Sequence, residues 1–165
     1  MHYIIVGAGP SGVIACETIR KLDRDAQITL VSGQTEPPYS RMAIPYFLEE
    51  KVSESGTYLR HSENYFSQQA IEIINHKISA IDSSNNSISL DNGTLNYGKL
   101  NYDKLLLATG AKAISPPIPG INSKNVHNCW TLEDARNIAD RAVSGSSVVL
   151  MGAGFIGCII LQSLL

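Results

Sequence analysis

Ile4-Ile5-Val6-Gly7-Ala8-Gly9-Pro10-Ser11-Gly12 carries an apolar run straight into a glycine-rich turn near the start of the chain. Tyr3 to Val6 has the composition of a buried parallel strand. The glycine spacing after it suits a loop that cradles a dinucleotide pyrophosphate. Gly7 allows the tight turn, Gly9 lets the backbone approach the phosphates, and Gly12 lets the next helix lie close to the sheet. The attraction would come from backbone groups of Gly7, Ala8, Gly9, Pro10, Ser11 and Gly12 and from the helix dipole, so no side chain is required. Glycine spacing alone is weak evidence in a chain with 13 glycines among 165 residues. The context strengthens it: β-branched residues precede the loop, and an apolar helical face of Val13, Cys16, Ile19 and Leu22 follows. A strand-turn-helix that binds nothing is the alternative at this stage.

Downstream, Gln27 to Val31 is rich in β-formers and completes a βαβ unit of about thirty residues, the size of a nucleotide-binding half. Such a unit is expected to place a carboxylate at the end of its second strand, where it holds ribose hydroxyls. Ser32 stands there instead, and the first carboxylate is Glu36. Either could take the ribose contact. Residues 33–48 then read as a long connection stiffened by Pro37, Pro38 and Pro45, in which Arg41 offers a permanently charged fork suited to phosphate. A solvated arginine on a covering loop is the equal alternative.

Arg60 to Gln69 has helical composition, and Ala70 to Ile74 reads as a strand. Lys77–Asp82, Ser87–Leu90 and Thr94–Tyr97 read as a small antiparallel meander, separated by Ser83-Ser84-Asn85-Asn86 and Asp91-Asn92-Gly93. A buried strand is expected at Tyr102 to Leu107, ending in the small residues Ala108-Thr109-Gly110. Residues 113–130, with Pro116-Pro117-Ile118-Pro119-Gly120, look like an inter-domain linker. Thr131 is the expected N-cap of a helix running to about Val143. Ser147 to Met151 reads as a further strand, opening into Gly152-Ala153-Gly154-Phe155-Ile156-Gly157. This is a second dinucleotide loop with the spacing of the first, and two such loops are far more specific than one.

Bulk properties narrow the function classes. With 44% apolar residues the chain can bury a real core, and 13 basic against 15 acidic residues leave no basic stripe for nucleic acid. No run of about 18 apolar residues would span a bilayer, and no basic leader precedes the first apolar stretch, so a cytoplasmic protein is the expectation. Cys16, Cys129 and Cys158 show no metal-ligand spacing. Cys16 and Cys158 occupy matching places after the two loops and are expected to be buried packing residues. His2, His61, His76 and His127 are read as structural or solvated. No metal site is expected.

The sequence resembles the FAD-dependent, pyridine-nucleotide-linked oxidoreductases, flavoproteins with two dinucleotide domains. The resemblance rests on Val6-Gly7-Ala8-Gly9-Pro10-Ser11-Gly12, Ala108-Thr109-Gly110, Pro117-Ile118-Pro119-Gly120 and Val149-Leu150-Met151-Gly152-Ala153-Gly154-Phe155-Ile156-Gly157. Pro38-Tyr39-Ser40-Arg41 and Thr131-Leu132-Glu133-Asp134-Ala135 point within it to the NADH oxidase, nitrite reductase and ferredoxin reductase branch. The fold class implied is α/β, with a Rossmann-like FAD-binding domain over residues 1–112 that includes the meander. The linker over 113–130 would lead to the start of a second Rossmann-like, NAD(P)-binding domain over 131–165. Members are more than twice as long, so the chain is expected to be an amino-terminal fragment. Val148 to Leu150 and Ile156 to Leu165 would then lie uncovered.

The resemblance implies FAD on the first loop and NAD(H) or NADP(H) on the second. It implies an adenine-side backbone contact near Ile78, a flavin-side approach at Ala108, Thr109 and Gly110, and nicotinamide-cofactor contacts at Gly152, Gly154, Phe155, Ile156 and Gly157. Arg41 would touch phosphate or flavin. Three departures are visible. There is no redox-active CxxxxC. The single redox cysteine of the peroxidase-like branch is replaced by Met42, which cannot form a thiolate. The ferredoxin reductase branch carries a lysine near Tyr46 and an arginine near Trp130, and neither is present. The implied reaction is hydride transfer from nicotinamide to flavin and electron delivery to a second acceptor. No catalytic side chain is nominated, because the cofactors carry the reactive atoms. The implied partners are these cofactors, an electron-acceptor protein and, as an open option, a second copy of the chain. A non-catalytic dinucleotide-binding module is the competing reading, and a flavin-free dehydrogenase is disfavoured by Ala108-Thr109-Gly110 and the second loop.

Overall fold

A computed structural model describes residues 1–91 and 98–165. The chain divides into two compact units, one formed by residues 1–39 and 58–110, the other by 40–57 and 111–165.

The first unit is built on a four-stranded sheet of β1 (His2–Val6), β2 (Gln27–Ser32), β3 (Ile71–Asn75) and β7 (Lys104–Leu107), ordered β3-β2-β1-β7. Every pairing in it is parallel. A parallel sheet is stable when covered on both faces, which is why β1 and β2 read as nearly unbroken apolar runs. On one face Ile5, Ile28 and Leu30 pack with Val13 and Cys16 of helix α1 (Pro10–Leu22). On the other, Ile4, Val6 and Val31 meet Ile88 and Leu90 from the antiparallel meander of β4 (Ile78–Asp82), β5 (Ser87–Leu90) and β6 (Lys99–Asn101). Each such buried aliphatic side chain is worth about 1.5–3 kcal/mol, against about 0–1 for a surface ion pair. The sheet therefore supplies the stability, and the polar contacts set positions.

Most early elements fall where the residue pattern puts them, but several differ. The expected strand at Thr94–Tyr97 and the Asp91-Asn92-Gly93 turn involve residues outside those described. Only Tyr65–Gln68 of the expected Arg60–Gln69 helix is helical (α3); Arg60 instead makes a bidentate pair with Glu17 of α1, at 2.8 Å on each arm. The strand expected to be buried at Tyr102–Leu107 begins at Lys104, and Leu107 is 55% exposed. Among the described strands β7 lies at the edge of the sheet, with β1 as its neighbour.

The second unit begins inside what read as a long loop. An antiparallel bridge between Tyr39 and Tyr58, followed by Ser40 N–H donating to Thr57 C=O at 2.9 Å, closes the neck of an excursion. Within it lie a 3₁₀ turn (Arg41–Ala43) and helix α2 (Ile44–Leu48). Pro45 sits in the first helical turn, where a missing N–H costs nothing. α2 packs against α4 (Leu132–Ala139) and α5 (Phe155–Ser163). Arg136 of α4 grips Glu54 through two hydrogen bonds of 2.8 and 2.9 Å. Thr131 caps α4 as expected, in a reciprocal capping box with Asp134, but the helix stops at Ala139 rather than near Val143. Residues 111–130 contain no helix or strand. Ser147 to Met151 forms no strand either: no described strand pairs with it, and Val149 is 92% exposed. A strand is a property of a ladder, and apolar composition alone does not make one.

Glu17 provides a test of the α1 clamp. Burial raises its pKa, but hydrogen bonds from Arg60 and Tyr65 outweigh that and hold it below the ordinary 4.5. A depressed folded value stabilises the folded state above about pH 4.5, and that contribution is lost as the pH falls through the folded pKa. Glu17→Gln should therefore cost about 1–3 kcal/mol in urea unfolding at pH 7 and much less at pH 3. Equal losses at both pH values would show that the carboxylate charge is not what the clamp uses.

Candidate functional site

The first glycine-rich loop joins β1 to α1 at the carboxyl edge of the parallel sheet. Gly7 has φ 112°, a left-handed value that only glycine adopts easily, and its N–H donates to Val31 C=O at 2.8 Å. A Cβ on Gly7 would fall on the carbonyl oxygen of Ala108, and one on Gly12 would fall on the carbonyl oxygen of Gly7. Both positions are thus closed by backbone. Gly9 is different: a Cβ there would meet nothing of the protein within 4 Å. Internal packing gives no reason for glycine at that position, whereas a ligand seated on the backbone does.

The helix that starts at this loop is open at its N-terminus, as α2 and α3 also are. Gly9 is its N-cap, Pro10 occupies the first turn, no side chain caps it and no acidic residue lies in its first turn. α4 shows the contrast, with Thr131 and Asp134 satisfying its N-terminal N–H groups and Glu133 beside them. An uncapped N-terminus keeps its dipole and donors available to an anion.

The second loop reproduces this backbone. Gly152 has φ 104°, and Gly154 has φ −77° and ψ 178°, against −77° and −178° at Gly9. A Cβ on Gly157 would fall on the Gly152 carbonyl oxygen, and Gly154 again faces open space. α5, like α1, has neither a side-chain cap nor an acidic first turn. Phe155 (77% exposed) and Ile156 stand in solvent, as do Val148, Leu150 and Leu165, but within the span expected to be uncovered Ile160 and Ser163 are buried.

The remaining candidates divide between the units. Ala108, Thr109 and Gly110 adjoin the first loop: Ala108 N–H donates to Val6 C=O at 2.8 Å, and Gly110 has φ 68°. Ser32 is buried and occupied locally, its hydroxyl donating to Gln34 C=O at 3.0 Å and accepting from Gln34 N–H at 3.3 Å. Glu36 is half-buried on the connection after β2. Ile78 opens β4 opposite Leu90. Arg41 belongs to the second unit, its guanidinium 5.0 Å from the Trp130 ring centroid.

One group of residues was not anticipated. Asn75, His76, Lys77 and Asp91 join Gly33, Gln34 and Thr35 around an open depression of about 270 Å³. It lies where β2 and β3 end, with Ser32 in register with Asn75. Nothing in the composition of Asn75-His76-Lys77 marks it as a lining, because only the β2–β3 register brings it there.

The cysteines do not resemble a redox centre. Burial pushes the Cys16 thiol up to about 12 and the Cys129 thiol up to about 11, so neither is a thiolate at neutral pH. Cys158, expected to be buried, is exposed because α5 leaves that face uncovered. Met42 is 71% exposed. Among the described residues, no three His, Cys, Asp or Glu gather as a metal site, and no helix is long and apolar enough to cross a membrane.

Comparisons with known proteins agree with this geometry. The NADH oxidase of Methanocaldococcus jannaschii is 35% identical over 161 residues, a match covering 95% of this chain and 36% of that protein. The rubredoxin-NAD(+) reductase of Pseudomonas putida is 33% identical over 159 residues, covering 95% and 40% respectively. The ferredoxin reductase of the CYP199A2 system from Rhodopseudomonas palustris superposes with a TM-score of 0.89 at 27% identity, over 99% of this chain and 39% of that one. The chain thus spans about two-fifths of the length of these relatives. The family model for pyridine nucleotide-disulphide oxidoreductases matches residues 1–163. With its α/β fold, its two equivalent glycine loops and this nearly end-to-end match, the chain belongs to the pyridine nucleotide-disulphide oxidoreductase family.

Proposed function

We propose that the chain binds FAD at its first glycine loop and NAD(P)H at its second. In this reading it forms part of an oxidoreductase that passes a hydride from NAD(P)H to flavin and electrons to a second acceptor. The observation that carries the reading is the repeated loop: the same backbone angles, the same uncapped helix and the same empty space over the middle glycine occur twice. Flavin and nicotinamide supply the redox chemistry when bound. The chain's own residues bind and orient. The loops at Gly7–Gly12 and Gly152–Gly157 receive the two pyrophosphates on their open backbone N–H groups, Gly7 N–H being kept by Val31 C=O, and Ala108, Thr109 and Gly110 present a side-chain-poor edge to the flavin.

The adenosine end of FAD is assigned to the connection after β2 and to the backbone at Ile78. The ribose contact is assigned to Ser32 or Glu36 on that connection. Arg41 is assigned to a phosphate or flavin oxygen. With Met42 in place of a redox cysteine and two thiols held neutral by burial, no disulphide step is assigned to this chain. Its partners are the cofactors, an electron-acceptor protein of the kind named in the rubredoxin and ferredoxin reductases and, over the exposed residues 148–151, a second copy of the chain. Its location in this reading is the cytoplasm.

The purified chain should show bound-flavin absorbance, and anaerobic NADH or NADPH should bleach it. Flavin without bleaching would favour a binding module over an enzyme, and a colourless chain that binds NAD at the first loop would favour a flavin-free dehydrogenase. A second expected outcome concerns Gly12. Its Cβ has no room beside the Gly7 carbonyl, so Gly12→Val should abolish flavin retention. Gly98→Ala, whose Cβ would meet nothing within 4 Å, should retain it. Equal flavin content in the two variants would refute pyrophosphate binding at this loop.

A further inference from the structure

We propose that Asp91 is the base-reading residue of the first dinucleotide site. Its carboxylate accepts the exocyclic amino group of adenine beyond the end of β3, and so favours adenine over a base that carries a carbonyl at the same ring position. The inference rests on the FAD reading of the first loop and adds the residue that selects the far end of that ligand.

The order of strands along the sheet sets the order of ligand groups. The glycine loop follows β1, the neighbouring strand is β2 and the one beyond it is β3, with about 4.8 Å from each strand to the next. In a unit of this kind the pyrophosphate rests at the β1 loop and the ribose is held at the end of β2. The group that remains, the base, then falls at the end of β3. The open depression of about 270 Å³ lies there. It is smaller than the roughly 300–1,000 Å³ of a site that takes a whole drug-sized ligand, and it suits one end of a dinucleotide. Gly33 and Thr35 line it on the β2 side, and Asn75, His76 and Lys77 on the β3 side, with Asp91 beside them.

Asp91 follows β5, and its N–H donates to Lys77 C=O at 2.7 Å. That bond fixes the end of β5 against the segment leaving β3, one residue before Ile78. Among the described residues that line the depression, Asp91 is the only carboxylate, and among the described residues no hydrogen bond or ion pair engages its side chain. Other carboxylates of this unit are in use: Glu17 accepts from Arg60 and Tyr65, Glu72 from Thr29 and Asp82 from Asn85. A carboxylate only accepts hydrogen bonds. Opposite the amino group of adenine it gains a charge-assisted bond, whereas opposite a base carbonyl it meets another acceptor. The Asn75 amide and the Lys77 ammonium beside it supply N–H donors of the kind that ring nitrogens of a base accept.

The flavin itself is the label for the test, so that only the flavin site is read. The 165-residue chain, freed of any bound flavin, would be titrated with FAD and with flavin hypoxanthine dinucleotide, in which a carbonyl replaces the adenine amino group, following flavin fluorescence. Its Asp91→Asn and Asp91→Ala variants would be treated likewise, with circular dichroism confirming the fold. The wild type should hold FAD about tenfold more tightly than the hypoxanthine analogue. Asp91→Asn should lose that preference, because an amide can accept from the amino group or donate to the carbonyl. Asp91→Ala should bring the ratio close to one as well. A purely structural defect would weaken both ligands and keep their ratio at the wild-type value, so a preference retained in either variant overturns the inference. A wild type that holds both ligands equally also overturns it, and in these cases the FAD reading stands. A wild-type chain that binds neither flavin overturns the FAD reading and the inference together.

Discussion

Where the backbone of Gly12 passes the carbonyl of Gly7 there is no space for one carbon atom, and the same holds where Gly7 passes Ala108. These two approaches bring the start of α1, the end of β1 and the end of β7 to one point. A side chain at Gly12 would push α1 away from Ile5 and Leu30, whose burial against Val13 and Cys16 accounts for much of the core on that face, and one at Gly7 would push against Ala108. The apolar packing and the loop geometry are therefore one constraint. The helix can cover the sheet only if the loop is bare, and a bare loop exposes its N–H groups at the helix terminus.

The helix ends at the two glycine loops are open, whereas that of α4 is closed. α4 begins inside a complete capping box, which satisfies its own donors and at the same time anchors Trp130. α1 and α5 begin on glycine with no cap and no acidic neighbour. Glycine in place of a capping side chain costs about a few tenths of a kcal/mol, and the chain bears that cost at both glycine loops. The cost is understandable if the donors are reserved for an anion, since a capping carboxylate would both occupy them and repel it.

Legibility in the sequence followed how local each feature is. β1, α1 and β2 could be read because their apolar pattern, the loop glycines and the turn lie within about thirty residues of one another. α2 was hidden by Pro45, which reads as a breaker until it is known to stand in the first turn. The expected strand at 147–151 has the right residues and lacks a partner to pair with, and α4 ends four residues before Val143 although its N-cap was plain. The site was legible in the same uneven way. Backbone-binding glycines announce themselves by spacing. Asn75-His76-Lys77 becomes a lining only through the register of Ser32 with Asn75, and the hold of Trp130 on Arg41 spans most of the chain.

The family name includes a disulphide, yet the chemistry in this chain runs the other way. A reactive cysteine needs an electropositive, partly exposed setting that lowers its pKa. Cys16 and Cys129 have the opposite surroundings, with burial raising both thiols. The place next to Arg41, where a positive charge could have lowered a thiol, is held by Met42. The charge has been kept and the nucleophile has not. An arginine beside a thioether has no thiolate to activate, so Met42 cannot form the bond to sulfur that a cysteine at that place could.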